Sequence, residues 1–192
     1  MSATCSESVI HIILKKKRMT ERDIYFTPRK GREVLAASPP GTRLYLYSDL
    51  ASDPRQPLDV LLSMGRNNII LLQDPDKMNS GHWIALSIHP ETREVYFFST
   101  YGGMPDREKI KWLSSADLMR SGQKRNVLND ALKELAMLGW TIYYNDYPYQ
   151  VEGDNTATCG IWSAAFLNSG MNPDQFEAYH YPLPKYYYTL FK

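Results

Sequence analysis

From Cys159 to Leu167 the chain reads Cys-Gly-Ile-Trp-Ser-Ala-Ala-Phe-Leu, apolar at nearly every position, with Gly170 as its stop. A helix of that composition has no face to offer water, so the rest of the fold must cover it on all sides. The 192 residues are enough to supply that cover within one domain and too few for two, which predicts a single domain over 1–192.

The covering elements are legible. Asn68-Ile69-Ile70-Leu71-Leu72-Gln73 is a short, continuous apolar run, the pattern of a strand buried on both faces. A polar loop over 74–81 leads to predicted strands at 82–89 and 94–99, joined as a hairpin through Pro90-Glu91-Thr92-Arg93. Apolar residues at 127, 128, 131, 132, 135 and 138, followed by Gly139, predict an amphipathic helix over 126–138. A further strand is expected at 141–147 and a short helix at 57–62, ended by Gly65. Residues 1–45 read as a mixed N-terminal region broken by Pro28, Gly31 and the Pro39-Pro40-Gly41 turn. Helices flanking a central run of strands predict an α+β fold, a mixed β-sheet with the Cys159 helix buried against it.

Composition narrows the function classes. Apolar residues make up 43% and charged residues 22%, as in ordinary soluble domains, and the net charge of +1 gives no global field toward nucleic acid, membrane or acidic substrate. No apolar run reaches the ~20 residues a bilayer span needs. The stretch Val9 to Leu14 precedes its basic cluster, the reverse of a secretory signal. The two cysteines, Cys5 and Cys159, form neither a disulfide framework nor a metal-ligand spacing. A soluble protein of a reducing compartment, cytoplasm or nucleus, follows, with no cofactor or metal. Lys15-Lys16-Lys17-Arg18 reads as a solvated face, with a nuclear-localisation or nucleic-acid patch as the alternative. The fourteen tyrosines fit half-buried strand positions better than a peptide groove.

The chemistry centres on Cys159. A thiol at a helix N-terminus sits among unpaired backbone N–H groups at the positive end of the helix dipole, which lowers its pKa toward the reactive thiolate. Gly160 behind it leaves room for a substrate carbonyl. Taken alone, a free cysteine packs as a small apolar group, so a base is required. Of the four histidines, His11 lies in an apolar run, His89 at a turn and His180 in a Tyr/Pro-rich tail. His82, in Gly81-His82-Trp83, opens a strand directly after a polar loop, where a scaffold displays reactive groups. Gln150, shortly before the cysteine, carries a side-chain amide that can donate to a developing oxyanion together with the Cys159 N–H.

Together these residues resemble cysteine peptidases of the adenovirus-protease group, the adenain/Ulp1-like kind. The shared pattern is His-Trp on a strand, an acid seventeen positions later, then glutamine shortly before Cys-Gly on the central helix. Here His82-Trp83, position 99, Gln150 and Cys159-Gly160 fall in that order, and the segment from Phe97 to Gly102 resembles the family's aromatic strand end. The likeness runs over residues 68–168. The short domain is most similar to the viral maturation proteases of virophages and Maverick/Polinton elements. It implies a papain-type fold and a Cys159–His82 thiolate/imidazolium pair, with Trp83 and Gly160 beside the substrate. It further implies a monomer that processes a capsid precursor in host cytoplasm or nucleus, or packaged in the virion. Two departures stand out. The family's acid is Ser99 here, and the step from Gln150 to Cys159 is nine positions, longer than usual. Ser99 admits a second reading, a catalytically degenerate peptidase kept as a binding or scaffold protein. The same fold group also contains acetyltransferases, but no basic cluster beside the motif residues is placed to receive an acetyl donor.

Overall fold

The computed structural model of the chain describes residues 31–76, 81–150 and 158–180. Cys5, His11, the basic cluster at 15–18, residues 151–157 and the Tyr-rich tail after 180 lie outside the described residues.

The elements, in chain order, are α1 (Gly31–Ala37), β1 (Arg43–Leu46), α2 (Tyr47–Ser52), α3 (Pro57–Leu62), β2 (Asn67–Gln73), β3 (Gly81–His89) and β4 (Glu94–Ser99). They continue with α4 (Lys109–Trp112), α5 (Ser115–Arg120), α6 (Val127–Met137), β5 (Thr141–Tyr144), α7 (Cys159–Ser169) and α8 (Pro173–His180). The strands form one mixed sheet in the order β1-β2-β3-β4-β5. The outer pairs β1/β2 and β4/β5 are parallel, and the inner pairs are antiparallel. The fold is α+β, as the pattern of elements predicts.

The apolar run of β2 is explained by burial on both faces. Ile70 and Leu72 point to one side, where Leu128, Ala131, Leu132 and Leu135 of α6 close the core with Leu86, Val95 and Phe97. Ile69 and Leu71 point to the other, among Trp83, Ala85, Phe98, Phe166 and Phe176. α7 fills this second layer, so the helix that is apolar all round is covered by the sheet below and by α8 and α1 beside it. Gly170 ends it in the left-handed conformation (φ 64°), as a glycine stop should. No helix among the described residues is long and apolar enough to cross a membrane.

The sequence reading missed a buried polar network at the edge of the α6 layer. The Tyr47 hydroxyl donates to Asp106, and Lys109 Nζ donates to the Tyr47 hydroxyl (2.9 Å) and to the carbonyls of Gln123 (3.1 Å) and Arg125 (2.9 Å). Gln123 exchanges two 2.8 Å hydrogen bonds with the backbone of Gln73, fixing the end of β2. Glu108 lies beside this network, 1% exposed, with no side-chain hydrogen-bond partner for its carboxylate among the described residues. Burial, with Asp106 adding to it, pushes its carboxyl from 4.5 up to about 8. The folded protein therefore keeps a proton on Glu108 that the unfolded chain gives up above pH 4.5. This contribution to stability is fully present below pH 4.5 and is lost as pH rises toward about 8. Glu108→Gln should thus stabilise the protein by ~1–3 kcal/mol at pH 7 and by little at pH 4, in urea unfolding at the two pH values. Equal effects at both would mean that Glu108 is ionised in the fold.

Candidate active site

β3 begins at Gly81, whose backbone (φ 148°) brings it so close to β2 that a Cβ would lie 1.9 Å from the Leu72 carbonyl oxygen. Only glycine fits there, and this tight entry delivers His82 to the start of the strand. His82 is 2% exposed. Its Nε2 lies 2.9 Å from Ser99 Oγ, and its ring stacks on Tyr101 at 4.2 Å between centroids. Its Nδ1 has no hydrogen-bond partner among the described residues. The position of the family's acid is thus in contact with the imidazole, but through a hydroxyl. Burial, and secondarily the Lys111 ammonium, pull the His82 pKa down to about 3.

β3 and β4 stay paired as far as Ile84 with Ser99, the last residue of β4. Trp83 lies beyond that pair, and its carbonyl accepts from Ser163 Oγ of α7 at 3.1 Å. Cys159 lies one helical turn before Ser163, and the Trp83 backbone draws its thiol pKa down. The helix carrying the thiol is therefore seated on the residue directly after His82. Thr158 at the helix start provides no side-chain cap, and the amides of Cys159 and Gly160 act on the thiol, drawing its pKa down. Burial outweighs them: Cys159 is 6% exposed, and its thiol is pushed above its ordinary value. The sequence reading has the helix N-terminus winning this contest. In the folded chain desolvation is the larger effect on both groups, pushing the thiol up and the imidazole down.

Gln150 is buried and tied to the end of the same strand. Its backbone amide donates to the Thr100 carbonyl (3.0 Å), and its Oε1 accepts from the Thr100 hydroxyl (3.2 Å). Ser99 and Thr100, adjacent in the chain, thus hold His82 and Gln150 respectively. Trp83 is 4% exposed, its ring packed close to Gly31 and within the same apolar cluster as Cys159. Gly160 is buried in the first turn of α7. His89 bonds Ser87 and Arg66 at the opposite end of β3, and His180 packs on Phe176 at 4.4 Å, so neither joins this cluster. Tyr101, Thr100, Lys111 and Ser163 escaped the sequence reading. Only Tyr101, inside the aromatic strand end, carried a signal.

No protein-family model matches the chain, and no solved structure matches it. Among curated proteins the chain is similar to uncharacterized protein V9 of Sputnik virophage, with 30% identity over 90 residues that make up 45% of this chain and 46% of that protein. The chain spans about half the length of that relative. The likeness marks a virophage-related protein and carries no peptidase family with it.

Proposed function

We propose that the chain is a cysteine endopeptidase with an adenain/Ulp1-like, papain-type arrangement, which cleaves a viral capsid precursor during particle maturation. The observation that carries this reading is the seat of the Cys159 helix: Ser163, one turn on from the thiol, donates to the carbonyl of Trp83, directly after His82, whose imidazole Ser99 holds at Nε2. Nδ1, without a hydrogen-bond partner among the described residues, is the nitrogen left to exchange protons. In the reaction the sulfur bonds to the scissile carbonyl carbon as the thiol proton passes to His82 Nδ1. The Gln150 amide and the Cys159 N–H hold the oxyanion. The imidazolium then gives its proton to the leaving amine as the C–N bond breaks. A water, deprotonated by the same imidazole, hydrolyses the thioester and restores the thiol.

Capsid precursor as the substrate, and host cytoplasm, nucleus or virion as the place, are what the resemblance to virophage and Maverick/Polinton maturation proteases implies. The degenerate-peptidase reading draws on one observation, a histidine whose partner is a hydroxyl instead of a carboxylate. Incubation of the protein with a virophage capsid precursor decides between the two. Discrete cleavage products that vanish after treatment with iodoacetamide are expected. Intact precursor that nevertheless co-purifies with the protein would favour a binding role.

A further inference from the structure

Backbone pairing between β4 and β5 ends at Phe97 with Tyr144. The next residue, Asn145, is 1% exposed, and its side chain continues the connection that the strands give up. Its Oδ1 accepts from the Ser99 amide (3.0 Å), while Nδ2 donates to the carbonyls of Ser99 (2.8 Å) and Tyr147 (2.9 Å). The Asn145 carbonyl accepts from the Gly103 amide at 2.7 Å. These partners fix which end of the carboxamide is which, because a backbone N–H only donates and a carbonyl only accepts. Both backbone groups of Ser99 are therefore gripped by one buried side chain, and the same side chain holds the start of the segment that leads to Gln150.

Neither the sequence motif nor the family resemblance points to this residue. A hydroxyl with no charge holds an imidazole only as well as its own position is fixed. A carboxylate offers two oxygens and a field, whereas Ser99 offers one rotatable oxygen. We propose that Asn145 is a positioning residue of the peptidase: it fixes Ser99 so that its hydroxyl holds His82 in one orientation, a task made necessary by the absence of an acid at position 99. The inference rests on the peptidase reading of the site. Aspartate has the shape of asparagine but no donors, so it would set a carboxylate against two carbonyl oxygens and cannot substitute.

The test follows the pH profile of Cys159 alkylation by iodoacetamide, read on the Cys159 peptide by mass spectrometry, and needs no substrate. The full chain is compared with His82→Ala, Ser99→Ala, Asn145→Ala, Asn145→Asp and the Ser99→Ala/Asn145→Ala double variant, with folding followed by circular dichroism. Asn145→Ser, which retains one small polar group, serves if Asn145→Ala does not fold. Loss of Asn145 should slow alkylation near neutral pH by about tenfold, the size expected for a residue that orients the base. It should add less than about twofold once Ser99 is already alanine, because the two act through one contact. An Asn145→Ala profile equal to that of the unmodified protein, or effects that multiply in the double variant, would overturn the proposal. If His82→Ala itself leaves the Cys159 profile unchanged, the pairing of His82 with Cys159 fails, and the peptidase reading fails with it.

Discussion

Cys159→Ala and His82→Ala should each lower peptide hydrolysis by roughly 10⁴-fold or more, while Ser99→Ala should cost on the order of tenfold. The asymmetry comes from what each group contributes. On the peptidase reading, the sulfur forms the covalent intermediate and the imidazole carries its proton. Ser99 supplies a hydrogen bond at Nε2 (2.9 Å) and no charge, so its loss frees the ring to reorient without removing the proton carrier. The starting charge state sharpens the expectation. With the thiol raised and the imidazole pulled down to about 3, the peptidase reading has the proton move during attack, and alanine at 82 removes its proposed acceptor. Cys5→Ser should leave turnover unchanged. Turnover with a capsid-derived peptide checks all four variants. A folded Ser99→Ala protein as inactive as His82→Ala would make the hydroxyl indispensable, and an active Cys159→Ala would end the peptidase reading.

Gln150→Ala should reduce turnover by ~10²–10³-fold, the effect of removing one oxyanion donor, while Cys159 keeps its alkylation rate. The Thr100 hydroxyl donates to Oε1, which orients the carboxamide, and the backbone of Gln150 is held on the same residue. A donor fixed before substrate arrives needs no reorganisation when charge develops, which is why its removal is costly. Alkylation by iodoacetamide forms no oxyanion, so the two measurements separate this role from damage to the nucleophile. A fall of less than threefold would assign the oxyanion to another donor.

The strongly periodic elements were open to a reading of the residues alone. Burial of β2 on both faces follows from Ile69 to Leu72, and the closed environment of α7 from its lack of a polar face. The β3–β4 hairpin follows from its turn, and its pairing of Ile84 with Ser99 brings position 99 to His82. β5 was expected to run to 147 but stops at Tyr144, because Asn145 turns its side chain to the Ser99 backbone and ends the ladder. β1 was hidden because only four residues pair, with no alternation to mark them. The buried Lys109 and Glu108 run against the rule that such residues stay in water, so no local pattern announces them. At the site, the order of residues pointed to the contact between His82 and position 99. The upward push of burial on the thiol did not follow, since desolvation is a property of everything packed around Cys159 and leaves no mark at that position.

The grip of α7 on Trp83, through Ser163, bears on the nine-position step that separates Gln150 from Cys159. Gln150 is moored to Thr100, and α7 to the Trp83 carbonyl through Ser163, so each has an anchor outside residues 151–157. Lengthening a chain connection between two anchored ends costs little, about 0.6 kcal/mol for each doubling. The spacing is then free to drift in descent without the chemistry following it, and insertion of two or three residues there amounts to a change of tether rather than of aim.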